Sequence, residues 1–155
     1  MINKDIKFNI VLYEPEIPQN TGNIARLCAC TGSDLYLVGK LGFSLADKYV
    51  KRAGLDYWDS VNIIQIPTLN ELEEKHTDSR FYYLTTKTQT PYYTCHFQNG
   101  DFLVFGPETR GLPGKLLKGN PQKCLNIPMK EGQRSLNLSN SVAIVVYEAL
   151  RQNLM

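Results

Sequence analysis

The segment "RSLNLSNS", Arg134 to Ser141, sets three serines and two asparagines around two leucines. One cap residue satisfies the start of a helix. Ser135, Asn137, Ser139, Asn140 and Ser141 offer more donors and acceptors than that task needs. Leu136 and Leu138 can turn to a core while the polar groups face a small molecule. Two other stretches are comparably polar. "PEIPQNTGNIAR" holds Asn20 at the start of a helical pattern and Arg26 within it. Asn20 is placed to cap that helix, with Arg26 in the second turn, near the end that attracts anions. "FGPETRGLP" packs two glycines, two prolines, Glu108 and Arg110 into nine residues. Such a loop is stiff and bares backbone amides. Glu108 between apolar flanks points to function rather than a plain turn.

The elements that must position these groups alternate along the chain. Predicted strands are Phe8–Tyr13, Asp34–Val38, Val61–Ile66, Arg80–Thr85, Asp101–Phe105 and Cys124–Ile127. They are rich in β-branched and aromatic residues, and several are apolar at consecutive positions, as in strands covered on both faces. Predicted helices are Asn20–Cys30, stopped by Gly32, and a segment from Ser44 to Gly54 with Ser44 as cap. A third starts at Thr68 with Glu71 at capping-box spacing. A short, weak one lies in "LPGKLLKG", and the last runs from about Ser139 to Gln152. Strand–helix alternation implies a single-domain α/β fold with a mainly parallel, six-stranded sheet. Ligands bind outside the carboxyl ends of such strands, and all three polar stretches follow one.

Several function classes are excluded by what the motifs lack. No G-x-G-x-x-G follows the first strand, and "GKL" at Gly39 and Gly114 belongs to no phosphate loop. No G-x-S-x-G elbow occurs, and neither His76 nor His96 stands near a recognisable nucleophile. Cys28, Cys30, Cys95 and Cys124 have no metal or disulfide spacing, so they read as reduced thiols and no metal is expected. No apolar run is long enough to span a bilayer and no secretory leader begins the chain, so a cytoplasmic protein is expected. The 155 residues carry a net charge of only +2. Yet Arg110–Arg134 contains six basic residues against Glu131 alone. That cluster is either a solvated face or a surface for phosphates.

"NTGNIAR", "FGPETRGLP" and "IPMKEGQRSLNLSNSVAIVVYEALRQ", in that order, resemble the three motifs of the SPOUT superfamily of RNA methyltransferases. The match is to its TrmH-like branch, the ribose 2'-O-methyltransferases. The resemblance covers essentially the whole chain, without a separate RNA-binding extension. It is strongest to members that act on the wobble nucleotide of tRNA. It implies a C-terminal deep trefoil knot, S-adenosyl-L-methionine (AdoMet) bent within it, S-adenosyl-L-homocysteine as product, and a homodimer.

Carried over by position, the resemblance implies that Leu84, Gly106, Ile127, Ser135 and Leu136 hold the cofactor. Asn20, Arg26, Glu108, Ser135 and Asn137 match the family's polar set, with Arg26 directed at the ribose hydroxyl. A guanidinium has a pKa above ~12 and no free acceptor when charged, which argues for Arg26 as a clamp rather than a base. The hydroxyl proton then leaves through Glu108, Tyr147 or water. Lys48, Lys51, Arg52, Lys87, Arg110 and Arg134 are the candidate contacts to a tRNA anticodon stem-loop. The alternatives are the same chemistry on rRNA or another tRNA position, and a non-catalytic RNA-binding protein.

Overall fold

The computed structural model describes residues 1–54 and 57–154, with the side chains of 51, 53 and 54 outside that description. Six strands form one parallel sheet in the order β3-β2-β1-β5-β4-β6. They are β1 (Asn9–Tyr13), β2 (Asp34–Val38), β3 (Ile63–Ile66), β4 (Phe81–Leu84), β5 (Phe102–Phe105) and β6 (Cys124–Leu125). The helices are α1 (Pro18–Thr31), α2 (Lys48–Gly54), α3 (Leu69–Lys75), α4 (Gly114–Gly119) and α5 (Leu138–Asn153).

Consecutive apolar strand residues feed two cores. Ile10, Leu12, Leu35, Leu37, Leu103 and Phe105 pack with Ile24, Ala25 and Cys28 of α1 and Val142, Val145, Val146 and Ala149 of α5. Val11, Tyr36, Val38, Phe81, Tyr83 and Val104 pack on the other face with Leu69 and Leu72 of α3 and Leu117 of α4. The two-residue period of a strand sends neighbours to opposite faces, so both faces need helices. α2 packs along α1.

Some ends fall as local chemistry dictates. Gly32 adopts φ 71° and its N–H donates to the Cys28 carbonyl, closing α1. Thr68 accepts from the Glu71 N–H at 3.1 Å and caps α3.

Others differ from expectation. α1 begins two residues before Asn20, because Pro18 suits the first helical position; Ile17 is the N-cap residue and its side chain makes no cap bond. Asn20 is therefore no cap, and Arg26 lies in the third turn, beyond the field of the helix start. α2 begins at Lys48, not Ser44. Ser44 accepts from the Ala46 N–H in a turn, and Asp47 accepts from the Tyr49 N–H at 2.7 Å.

β6 is shorter than Cys124–Ile127. After Leu125 the chain leaves β4 and bonds a loop instead: the Asn126 N–H donates to Thr90, and the Asn126 carbonyl accepts from Tyr92, each at 2.8 Å. α5 is tied at its far end by Gln152 and Asn153. Their amides donate to the Cys95 and Phe97 carbonyls at 3.0 Å.

Candidate functional site

Three loops meet at the carboxyl ends of β1, β5 and β6, and one hydrogen-bonded chain joins them. Asn137 precedes α5 and caps it, its Oδ1 accepting from the N–H groups of Ser139 and Asn140. Its Nδ2 donates to Asn20 Oδ1 at 3.1 Å. Asn20 Nδ2 points at Glu108 Oε2, at 3.5 Å.

Glu108 does what Ile17 cannot. Its carboxylate accepts from the Glu16 N–H at 3.0 Å and from the Ile17 N–H, at the start of α1. The favourable end of that helix is thus served by an acid 91 positions away. The lock is reciprocal. Glu16 Oε1 accepts from the Thr109 N–H at 2.9 Å and its hydroxyl at 2.7 Å. Those two bonds, the backbone one foremost, hold the Glu16 carboxyl below its ordinary range. Gly106 permits the tight fold of this loop, since a Cβ there would strike the backbone of Gly111 and Leu112.

Beside this lock lies a cleft of about 670 Å³, within the size range of small-molecule sites. Leu84, Gly106, Ile127, Ser135 and Leu136 all line it, with Asn20, Glu108 and Asn137. Thr85, Phe105, Pro107 and Met129 also line it, as do Leu138 and Ser141 of the third polar stretch. Reasoning from sequence passed over the first four, although each lies in or beside a polar stretch or just past β4. Leu84, Phe105 and Leu138 supply a buried apolar floor. Thr85, Ser135 and Asn137 supply polar edges. Among the described residues, no cluster of His, Cys, Asp or Glu could hold a metal ion.

The remaining candidates divide. Lys87, Arg110 and Arg134 also line the cleft. Arg110 is engaged with acids, 3.3 Å from Glu14 and 3.9 Å from Glu16. Arg26 and Tyr147 are exposed and lie outside this cleft. Lys48 and Arg52 are exposed on α2, and the side chain of Lys51 lies outside the described residues.

A parallel sheet with a cleft of this size, walled by three convergent polar loops, defines an α/β ligand-binding chain. Residues 7–147 match the SpoU rRNA Methylase family, and the chain belongs to that family. It is 51% identical over 147 residues to the tRNA (cytidine(34)-2'-O)-methyltransferase of Methylovorus glucosotrophus, covering 94% of this chain and 96% of that one. A solved structure concerned with 2-OH methylation of C/U34 on tRNA superposes with a TM-score of 0.92 at 40% identity, covering 97% and 98%. The SpoU methyltransferase AviRb from Streptomyces viridochromogenes, solved with AdoMet, shares the fold at a TM-score of 0.85 and 21% identity, covering 99% of this chain and 60% of AviRb.

Proposed function

We propose that this chain is an AdoMet-dependent tRNA methyltransferase acting on the ribose 2'-hydroxyl of the wobble nucleotide in the anticodon. The observation that carries this reading is the convergence of three loops on one cleft, locked by Asn137, Asn20 and Glu108. The likeness to wobble-position enzymes over nearly the whole chain supports the substrate.

The cleft fits the cofactor chemically. Its apolar floor at Leu84, Phe105 and Leu138, with Ile127 beside it, suits a flat base, and the hydroxyls and amides of Thr85, Ser135 and Asn137 suit ribose and amino acid groups. When bound, AdoMet supplies a sulfonium methyl, already a good electrophile. The protein then has to align the hydroxyl oxygen with it, a contribution of up to ~7–11 kcal/mol. The lock among the three loops holds the cleft wall rigid for that task.

Arg26 serves as a clamp on the hydroxyl oxygen and stabilises its developing negative charge. It stands outside its own protomer's cleft, which fits a homodimer in which each Arg26 serves the partner's cofactor. Ile144 and Tyr147 leave an exposed apolar face on α5 for that pairing. Glu108, whose oxygens already accept backbone N–H groups, has a positioning role, and the proton leaves through water or Tyr147. Lys87 and Arg134, with Lys48, Lys51 and Arg52, meet the tRNA backbone. The likeness to members of the SpoU family supports a knotted C-terminal path. Acting on tRNA, the protein works in the cytoplasm.

The test incubates the protein with methyl-labelled AdoMet and total tRNA from a methylation-deficient strain, then maps nuclease fragments by mass spectrometry. A ribose methyl at the wobble nucleotide is expected. Label at another nucleotide moves the substrate, and AdoMet binding without transfer makes the chain a binding protein.

A further inference from the structure

Arg26 has a second relationship that the cleft does not use. Its guanidinium carbon sits 4.9 Å from the ring centroid of Tyr57. Tyr57 immediately precedes a 3-10 turn, Trp58–Ser60, that packs on α1. Trp58 is partly buried against the core that α1 and α5 cover, so the turn has an anchor. The ring is thereby brought to a cation in the third turn of the helix.

The type of contact matters. The ring attracts the guanidinium through its π face and offers no oxygen that would take up its N–H donors. The five N–H donors lie in the guanidinium plane and stay available to an acceptor. A carboxylate partner would take those donors and cancel the charge. Cation–π attraction restrains a long side chain while leaving intact its charge and its donors.

We propose that Tyr57 is a positioning residue for the methyl transfer, its ring holding the Arg26 guanidinium in one orientation with the N–H edges open to the ribose hydroxyl. This rests on the reading of Arg26 as the hydroxyl clamp. A restrained arginine loses less rotamer freedom on reaching the transition state, so the effect falls on kcat rather than on cofactor binding.

The test measures single-turnover methyl transfer by the full-length protein, with variants at position 57. Tyr57→Phe keeps the ring and stays within about twofold of the parent. Phenylalanines bearing one, two and three ring fluorines keep the shape but drain the ring face, and the rate falls with each fluorine. Tyr57→Leu transfers about five- to tenfold more slowly, with AdoMet affinity and melting temperature unchanged. In an Arg26→Ala background, Tyr57→Leu slows nothing further. A rate indifferent to fluorination, or a full additive loss in the Arg26→Ala background, overturns the role of Tyr57 while leaving the clamp standing. An Arg26→Ala variant that transfers at the parent rate overturns the clamp itself, and the role of Tyr57 with it.

Discussion

The side-chain amide of Asn137 donates to that of Asn20 at 3.1 Å, across 117 positions of chain. One residue therefore does two jobs with its two amide atoms. The oxygen caps α5 and the nitrogen fastens the start of α5 to α1. Asn137→Ala removes both. A lost cap costs about 1 kcal/mol and a lost hydrogen bond a similar amount, so the variant is expected to lose roughly 2 kcal/mol in urea unfolding. Asn137→Ser restores a cap acceptor without reaching Asn20, and it recovers stability ahead of AdoMet affinity in calorimetry.

Glu108→Gln separates positioning from proton transfer. The amide keeps one acceptor oxygen where the carboxylate serves two backbone N–H groups. Bonds to a charged group contribute about 1.5–3 kcal/mol, so the unfolding midpoint drops and AdoMet binding weakens with it. Residual transfer keeps the parent pH profile. Loss of transfer with the midpoint unmoved would make Glu108 the proton acceptor.

The Glu16–Thr109 lock sets an acid limit. The carboxyl of Glu16 is held below its ordinary value of 4.5, first by the Thr109 backbone N–H and then by its hydroxyl. A carboxyl with a lowered folded pKa contributes stability above the ordinary value and loses it as pH falls through the folded value. Urea midpoints measured down the acid range are expected to fall less steeply in Glu16→Gln than in the parent. Thr109→Val keeps the backbone bond and lies between them. Glu148, lowered first by Arg151, supplies acid sensitivity that remains in each variant.

Gly106→Ala tests the tight loop. The added methyl meets the backbone of Gly111 and Leu112, which cannot swing aside as a side-chain tip can. Overpacking of this kind costs about 1–3 kcal/mol. The cleft wall shifts, and AdoMet affinity is expected to fall at least about tenfold in equilibrium dialysis.

Salt dependence distinguishes the cations. Each residue that neutralises an RNA phosphate contributes about 0.7–0.9 to the slope of log affinity against log salt. Lys87→Ala and Arg134→Ala are each expected to lower the tRNA-binding slope by that amount. Arg110, already facing Glu14 and Glu16, changes it less, and Arg110→Ala shows itself in the unfolding midpoint instead.

The strands were readable because burial on both faces writes continuous apolar runs. Gly32 and Thr68 were readable because a stop and a cap are local events. The three polar stretches stood out for their unspent donors and acceptors, and the cleft lies where they meet. The rest depends on distant partners. Nothing near Ile17 says that Glu108 serves its N–H, and nothing near Asn126 says that it leaves the sheet for Thr90 and Tyr92. The start of α1 was misread because Asn20 is a good cap in isolation, while Pro18 and a remote carboxylate together move the helix forward. The cation–π contact of Tyr57 with Arg26 joins two segments by side chains alone and leaves no periodic trace.

The position of Asn137 also bears on how the protein is made. A ribosome releases the strands in order, and the sheet from β3 to β4 has all its residues before Asn137 is synthesised. The cap, the link to Asn20 and the cleft wall from Ser135 onward emerge from the exit tunnel after all six strands. A nascent chain can thus hold most of its sheet and still lack its cleft.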